Sequence, residues 1–91
     1  MEFGWDETKN QANIRKHGVS FEIAKRVFDW PLLTSRDRRK DYGEDRFVSI
    51  GQVGHEALIV IAYTRREGRI RLISARPASR KERQRCRDEI Q

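Results

Sequence analysis

Apolar residues recur at helical spacing early in the chain and at strand spacing later. Glu2–Trp5 reads as a short strand or an extended arm. Asp6 is an N-cap, and Glu7 follows it in the first turn, where negative charge suits the helix dipole. That helix runs to about His17. Gly18 closes it, with Lys16 and His17 in the last turn. Ser20 caps a second helix whose apolar face is Phe21, Ala24, Val27 and Phe28, and Pro31 ends it.

The strands come next. Leu32–Ser35 predicts a short edge strand, and Arg36–Asp45 a polar loop in which eight of ten residues are charged. Phe47–Gln52 alternates as a strand. Gly51 and Gly54 flank a turn leading to His55 and Glu56. Ala57–Tyr63 is almost continuously apolar and β-branched, as in a central strand buried on both faces. Arg66-Glu67-Gly68-Arg69 is a hairpin turn, and Arg69–Ala75 alternates again. Pro77 and Ser79 start a final Arg-rich helix that reaches Glu89. The expected fold is a single α+β domain over residues 1–91. Two N-terminal helices pack on one face of an antiparallel sheet, and a basic helix follows.

Composition narrows the function. The chain has 91 residues and a net charge of +6, from 20 Lys and Arg against 14 Asp and Glu. So large a basic excess in so small a domain suits a polyanionic partner, nucleic acid or an acidic protein. The lone cysteine, Cys86, allows no internal disulfide and no cysteine zinc site, and fits a reducing compartment. The longest apolar run, Ala57–Ala62, falls far short of a membrane span. The N-terminus lacks a signal-peptide pattern, so a cytoplasmic location is expected.

Three constellations carry possible chemistry. Asp6, Lys9, Asn13, Lys16 and His17 line one face of the first helix. They form either a solvated face or a polar ridge at the edge of an RNA site, with His17 as acid or base. From the sheet come Glu44 and Arg46 before one strand, Arg65 and Arg66 after the central strand, and Arg76 at the end of the last. A meander puts the ends of the central and last strands at opposite ends of the sheet, so convergence of Arg65 and Arg76 is open. The third group is Arg76, Arg80, Lys81, Arg83, Arg85 and Arg87, interrupted by one acid, Glu82. It suits phosphate contacts, an acidic partner or a merely solubilising tail. Trp5 and Trp30 read as core anchors.

RNA cleavage fits this inventory. RNA carries its own nucleophile, the 2′-hydroxyl. A protein need only accept that proton, protonate the leaving 5′-oxygen and neutralise charge on the phosphorane-like transition state. Glu44 is a candidate proton acceptor and the arginines are candidate phosphate clamps. No metal and no cofactor is expected. The sequence has no paired-Asp metal spacing, Gly-rich phosphate loop, nucleophile elbow or HExxH motif.

Phe3-Gly4-Trp5-Asp6, Lys9, Asn13, Lys16-His17-Gly18-Val19-Ser20-Phe21, Ala24 and Val27-Phe28 resemble the opening of BrnT-type toxins. Glu44-Asp45-Arg46 with Ile50-Gly51 resembles their middle. Tyr63-Thr64-Arg65, Arg69–Arg76, Ala78 and Glu82-Arg83 resemble their end. The resemblance implies a RelE-like fold and a ribonuclease toxin that halts translation. It also implies a small BrnA-type antitoxin with a ribbon-helix-helix domain, a toxin–antitoxin heterotetramer, and operator DNA bound mainly through the antitoxin. It nominates Lys16, His17, Glu44, Arg65 and Arg76 as active-site positions, and we add Lys9, Arg46, Arg80 and Arg83 as RNA contacts. Two departures stand out. Cys86 replaces a common aromatic that would stack on RNA or pack the last helix, and Pro77 replaces a common basic residue. The alternatives are a non-catalytic nucleic-acid- or antitoxin-binding module on the same fold, and a purely protein-interaction domain.

Overall fold

The computed structural model describes residues 2–37, 43–54 and 57–90. The turn expected at His55 and Glu56 and the middle of the charged loop lie outside them. The chain order is β1 (Glu2–Gly4), α1 (Glu7–His17), α2 (Phe21–Ala24) with a 3₁₀ extension (Lys25–Asp29), β2 (Leu32–Arg36), β3 (Arg46–Val53), β4 (Ala57–Arg66), β5 (Arg69–Pro77) and α3 (Arg80–Ile90). The strands form one sheet in the order β1-β5-β4-β3-β2.

Local signals act where the sequence places them. The Asp6 carboxylate accepts from the Thr8 and Lys9 N–H groups, and Gly18 closes α1 at φ 72°. The Ser20 hydroxyl accepts from the Ile23 N–H. Glu67 and Gly68 both have positive φ, 53° and 76°, as a tight two-residue hairpin turn demands.

Several expectations need correction. The sheet is mixed, because β1 runs parallel to β5, pairing Glu2 with Arg69 and Gly4 with Arg71. The second helix keeps only one α-helical turn before tightening to 3₁₀. Arg36 belongs to β2 and not to the loop. Gly51 lies inside β3, where a Cβ would sit 2.5 Å from Leu32 Cδ2 and 2.9 Å from Val27 Cβ. It is there for close packing, not for a turn. Trp5 packs edge-on against Phe21, with ring centroids 6.1 Å apart, but Trp30 is 46% exposed. Trp30 ends the 3₁₀ segment in an extended conformation and is no core anchor.

The helix-covered face holds the larger core, including Phe21, Val27, Ile61, Tyr63 and Leu72. Phe28 meets the Tyr63 ring edge-on at 5.0 Å, and Phe47 stacks on it at 5.9 Å. The buried Tyr63 hydroxyl is satisfied by Ser49 Oγ at 2.7 Å, which in turn meets Thr34 Oγ1 at 2.8 Å. A buried hydroxyl without such partners would be costly.

On the opposite face α3 covers only one end. Ala78 and Cys86 pack there on Ile50 and Val60. Cys86 therefore occupies a packing position, and burial pushes its thiol up from its ordinary range.

The polar first helix has a structural explanation. Its buried residues are Asn10 and Asn13. β1 pairs with β5 only as far as Arg71, leaving the outer edge of β5 uncovered beyond it. Asn13 caps that edge. Its Nδ2 donates to the Ala75 carbonyl at 2.7 Å, and its Oδ1 accepts from the Ala75 N–H at 3.1 Å. One side-chain amide thus replaces the peptide group of a missing strand. The same Nδ2 donates to the Val19 carbonyl at 2.8 Å, while Asn10 Oδ1 accepts from the Phe21 N–H at 2.9 Å. The ridge of Asp6, Lys9, Asn13, Lys16 and His17 is therefore not a uniform solvated or RNA-facing surface.

Candidate active site on the open face of the sheet

The face that α3 leaves open is built from strand register. In β4, Ile59, Ile61 and Tyr63 belong to the helix-covered core, so Val60, Ala62 and Thr64 point the other way. Partner positions continue the same rows across the sheet. Ser35, Val48, Ala62 and Ser74 form one row, and Arg46, Thr64 and Arg71 the next toward the hairpin. Val60 and Arg76 lie in the row on the other side, next to α3.

A bulge makes this arrangement possible. Ala62 pairs with Ser74 and Tyr63 with Leu72, so Ile73 is an extra residue in β5. Beyond it the faces exchange. Ile70, Leu72 and Ala75 are all buried, while Arg69, Arg71 and Ser74 are exposed and Arg76 half-buried. Strict alternation would have put Arg71 and Arg76 on opposite faces.

The result is a trough of about 360 Å³ lined by Ser35, Arg36, Asp37, Val48, Val60, Ala62, Ser74 and Arg76. Its floor is small side chains. Arg76 stands at one end, while Arg46, Thr64 and Arg71 form the next strand row toward the hairpin and do not line the trough. A separate hollow, about 500 Å³, lies toward the hairpin and is lined by Gly4, Glu44, Thr64, Arg66, Arg69 and Arg71 among others.

Arg76 is tightly held. Its Nη1 and Nη2 donate to the two Glu82 carboxylate oxygens at 2.7 and 2.8 Å, and Nη1 also donates to the Pro77 carbonyl at 3.3 Å. The hydrogen bonds from Arg76, helped by those from Ser79 and opposed by partial burial, lower the Glu82 carboxyl to about 2. Glu82 in turn raises Arg76. A carboxylate so acidic is a poor proton acceptor near neutrality.

The other candidate residues divide between locations. Glu44 lies at the far hollow, where it accepts from Arg66 Nη2 at 2.7 Å. It lines the hollow and Arg76 lines the trough, and neither lines both. Arg65 lies on the helix-covered face, its guanidinium 5.6 Å from the Phe47 centroid and 6.0 Å from that of Tyr63. It does not converge with Arg76. Lys16 and His17 lie one turn beyond Asn13, and α1 advances along β5 from the level of Arg71 toward that of Ala75. That brings them toward the Arg76 end of the sheet, but from its edge. Among the described residues no hydrogen bond or ion pair joins them to Arg76 or Glu44. Lys9 is exposed in the first turn of α1, while Arg80 and Arg83 are exposed on α3. Arg71 was missed by sequence reasoning. Its signal was the shift in apolar spacing from two to three between Leu72 and Ala75.

Residues 5–82 match the family described as "Ribonuclease toxin, BrnT, of type II toxin-antitoxin system". The chain belongs to the BrnT family. Its fold is similar to the crystal structure of the Brucella abortus ribonuclease toxin BrnT, with a TM-score of 0.66 and 26% sequence identity over 88% of this chain and 99% of that one. No curated protein matched the sequence. Membership of a BrnT family of type II toxins carries with it an RNA target and an antitoxin partner. Among the described residues no helix is long and apolar enough to cross a membrane. No three His, Cys, Asp or Glu side chains among them gather as metal ligands.

Proposed function

We propose that this chain is an endoribonuclease that cleaves RNA laid across the open face of its sheet. The observation carrying the proposal is the Ile73 bulge, which turns Arg71 and Arg76 to the same side as Arg46 around a floor of small residues. Arg76 lines the trough over Ala62, where a phosphate would sit, and Arg71 lines the hollow in the direction of the hairpin. Their charge is preorganised where the phosphorane-like transition state becomes most negative. The nucleophile is the substrate's own 2′-hydroxyl, so the chemistry runs without a metal. Glu44, held by Arg66 in the hollow toward the hairpin, is the candidate proton acceptor, and a substrate that reaches it spans both the trough and that hollow. Lys16 and His17 meet the strand as it leaves the Arg76 end, and Lys9, Arg80 and Arg83 add phosphate contacts that give affinity with little sequence preference. Arg65, on the other face, has no part in the reaction.

Family membership supports the rest. The antitoxin is of BrnA type, with a ribbon-helix-helix domain. The toxin fold is of RelE-like type, and the antitoxin forms a heterotetramer with it and carries the complex to operator DNA. Expression of the complex halts nothing, whereas the free toxin stops translation in the cytoplasm.

The test is RNA cleavage by purified protein in EDTA. Cleavage that persists in chelator and drops at least tenfold in Arg76→Ala, Arg71→Ala and Glu44→Gln supports the proposal. Loss of cleavage in EDTA overturns the metal-free chemistry. A wild type that binds RNA without cutting it overturns the enzyme reading in favour of a binding module. A carboxylate and an imidazole titrate in different pH ranges. A pH–rate profile whose acid limb vanishes in His17→Gln but persists in Glu44→Gln would transfer the proton-accepting role to His17.

A further inference from the structure

Glu82 is the only acid between Arg80 and Arg87, in a helix otherwise suited to phosphate. An unneeded carboxylate there would repel RNA. Both of its oxygens are in use. Oε2 accepts from Arg76 Nη2, while Oε1 accepts from Arg76 Nη1 and from the Ser79 N–H at 2.8 Å. The Ser79 hydroxyl returns the contact by accepting the Glu82 N–H at 3.2 Å. This reciprocal pair is a capping box, which fixes the first turn of α3 and with it the carboxylate.

The pattern on the guanidinium is specific. Glu82 takes the end-on pair of N–H groups, one from each Nη. The second Nη1 N–H goes to the Pro77 carbonyl. Among the described residues, Nε–H and the second Nη2–H make no hydrogen bond. They are neighbours on one edge of the planar fork, a geometry that matches two phosphate oxygens. Glu82 therefore occupies one edge of Arg76 and leaves the phosphate-binding edge available. Arg76 is itself a lining residue of the trough.

Resting on the proposed RNA-cleaving role of the trough, we infer that Glu82, held by its capping box with Ser79, is a positioning residue that orients Arg76 for bidentate contact with the substrate phosphate. The acid in the basic helix acts through Arg76 and does not touch RNA. Docking of α3 and assembly of the phosphate site are then one event, because the same carboxylate closes the helix cap and aims the arginine.

A double-mutant cycle tests this. Glu82→Gln lowers kcat/KM for RNA about tenfold in the wild-type background, the loss of one charge-assisted contact. In an Arg76→Ala background the same change has no further effect. Ser79→Ala, which weakens the cap without removing the carboxylate, lowers the melting temperature as Glu82→Gln does but lowers kcat/KM less. Equal losses from Glu82→Gln with and without Arg76 would overturn the inference and leave Glu82 a helix cap only. If the wild type proves not to cleave RNA, the proposed function fails. The inference is then decided by affinity for a non-cleavable 2′-deoxy oligonucleotide in the same four proteins and by the Arg76 Nε–H resonance. An Nε–H signal unchanged by Glu82→Gln overturns it.

Discussion

Arg71 and Arg76 point to the same side of β5 although five positions separate them. A regular strand sends residues an odd number apart to opposite faces. The extra residue at Ile73 cancels that rule once, and the buried set of Ile70, Leu72 and Ala75 records the change. The bulge spends one unpaired residue to gather cations on a single surface, the re-aiming that bulges beside functional sites perform.

Salt dependence measures which arginines face the nucleic acid. Each phosphate contact to a single strand contributes about 0.7 to the slope of log affinity against log salt. Arg71→Ala is expected to reduce that slope by about 0.7 for a non-cleavable RNA, and Arg65→Ala to leave it unchanged. Equal reductions from both would contradict the assignment of the open face.

Asn13 carries stability far beyond that of an ordinary helix residue. Asn13→Ala leaves the N–H and C=O of Ala75 and the carbonyl of Val19 short of a partner in a buried setting. The expected cost is about 3 kcal/mol in urea denaturation. Asn13→Asp can still accept from Ala75 but can no longer donate to either carbonyl, so it should fare no better. A loss for Asn13→Ala within about 0.5 kcal/mol, the range of an ordinary surface change, would show that β5 finds another edge partner.

Acid should act on α3 through Glu82. Its carboxyl is lowered in the folded chain from an ordinary 4.5 to about 2. The stability it contributes is therefore complete above pH 4.5 and is lost as pH falls toward 2. Melting temperatures of the wild type should fall across that window more steeply than those of Glu82→Gln. Parallel curves would mean that the Arg76–Glu82 pair contributes nothing to folding.

Glycine substitutions separate crowding from open space. Gly51→Ala forces its new methyl into Leu32 and the Val27 Cβ, and overpacking of this kind costs about 1–3 kcal/mol. Gly4→Ala meets no atom within 4 Å and should be nearly neutral in the same thermal melts. Similar melting temperatures for the two variants would refute the proposed Gly51 contact.

What the sequence determined by itself was everything governed by neighbouring residues. Asp6, Ser20 and Gly18 bound their helices because a cap acts over three or four positions. Glu67-Gly68 made its hairpin because only the turn's own φ angles matter there. The apolar run in β4 identified the central strand, and the order of motifs pointed to the BrnT family. Tertiary structure decided what depends on residues distant in the chain. Asn13 looked like part of a polar ridge until β5, 62 positions away, presented an edge for it to pair with. Gly51 looked like a turn until Val27 and Leu32 closed on it. Arg65 and Arg76 were separated, and Arg71 and Arg76 united, by sheet register and one bulge. Periodicity assigns a residue to a face only while pairing is regular, and whether it stays regular is settled by the packing of the whole sheet.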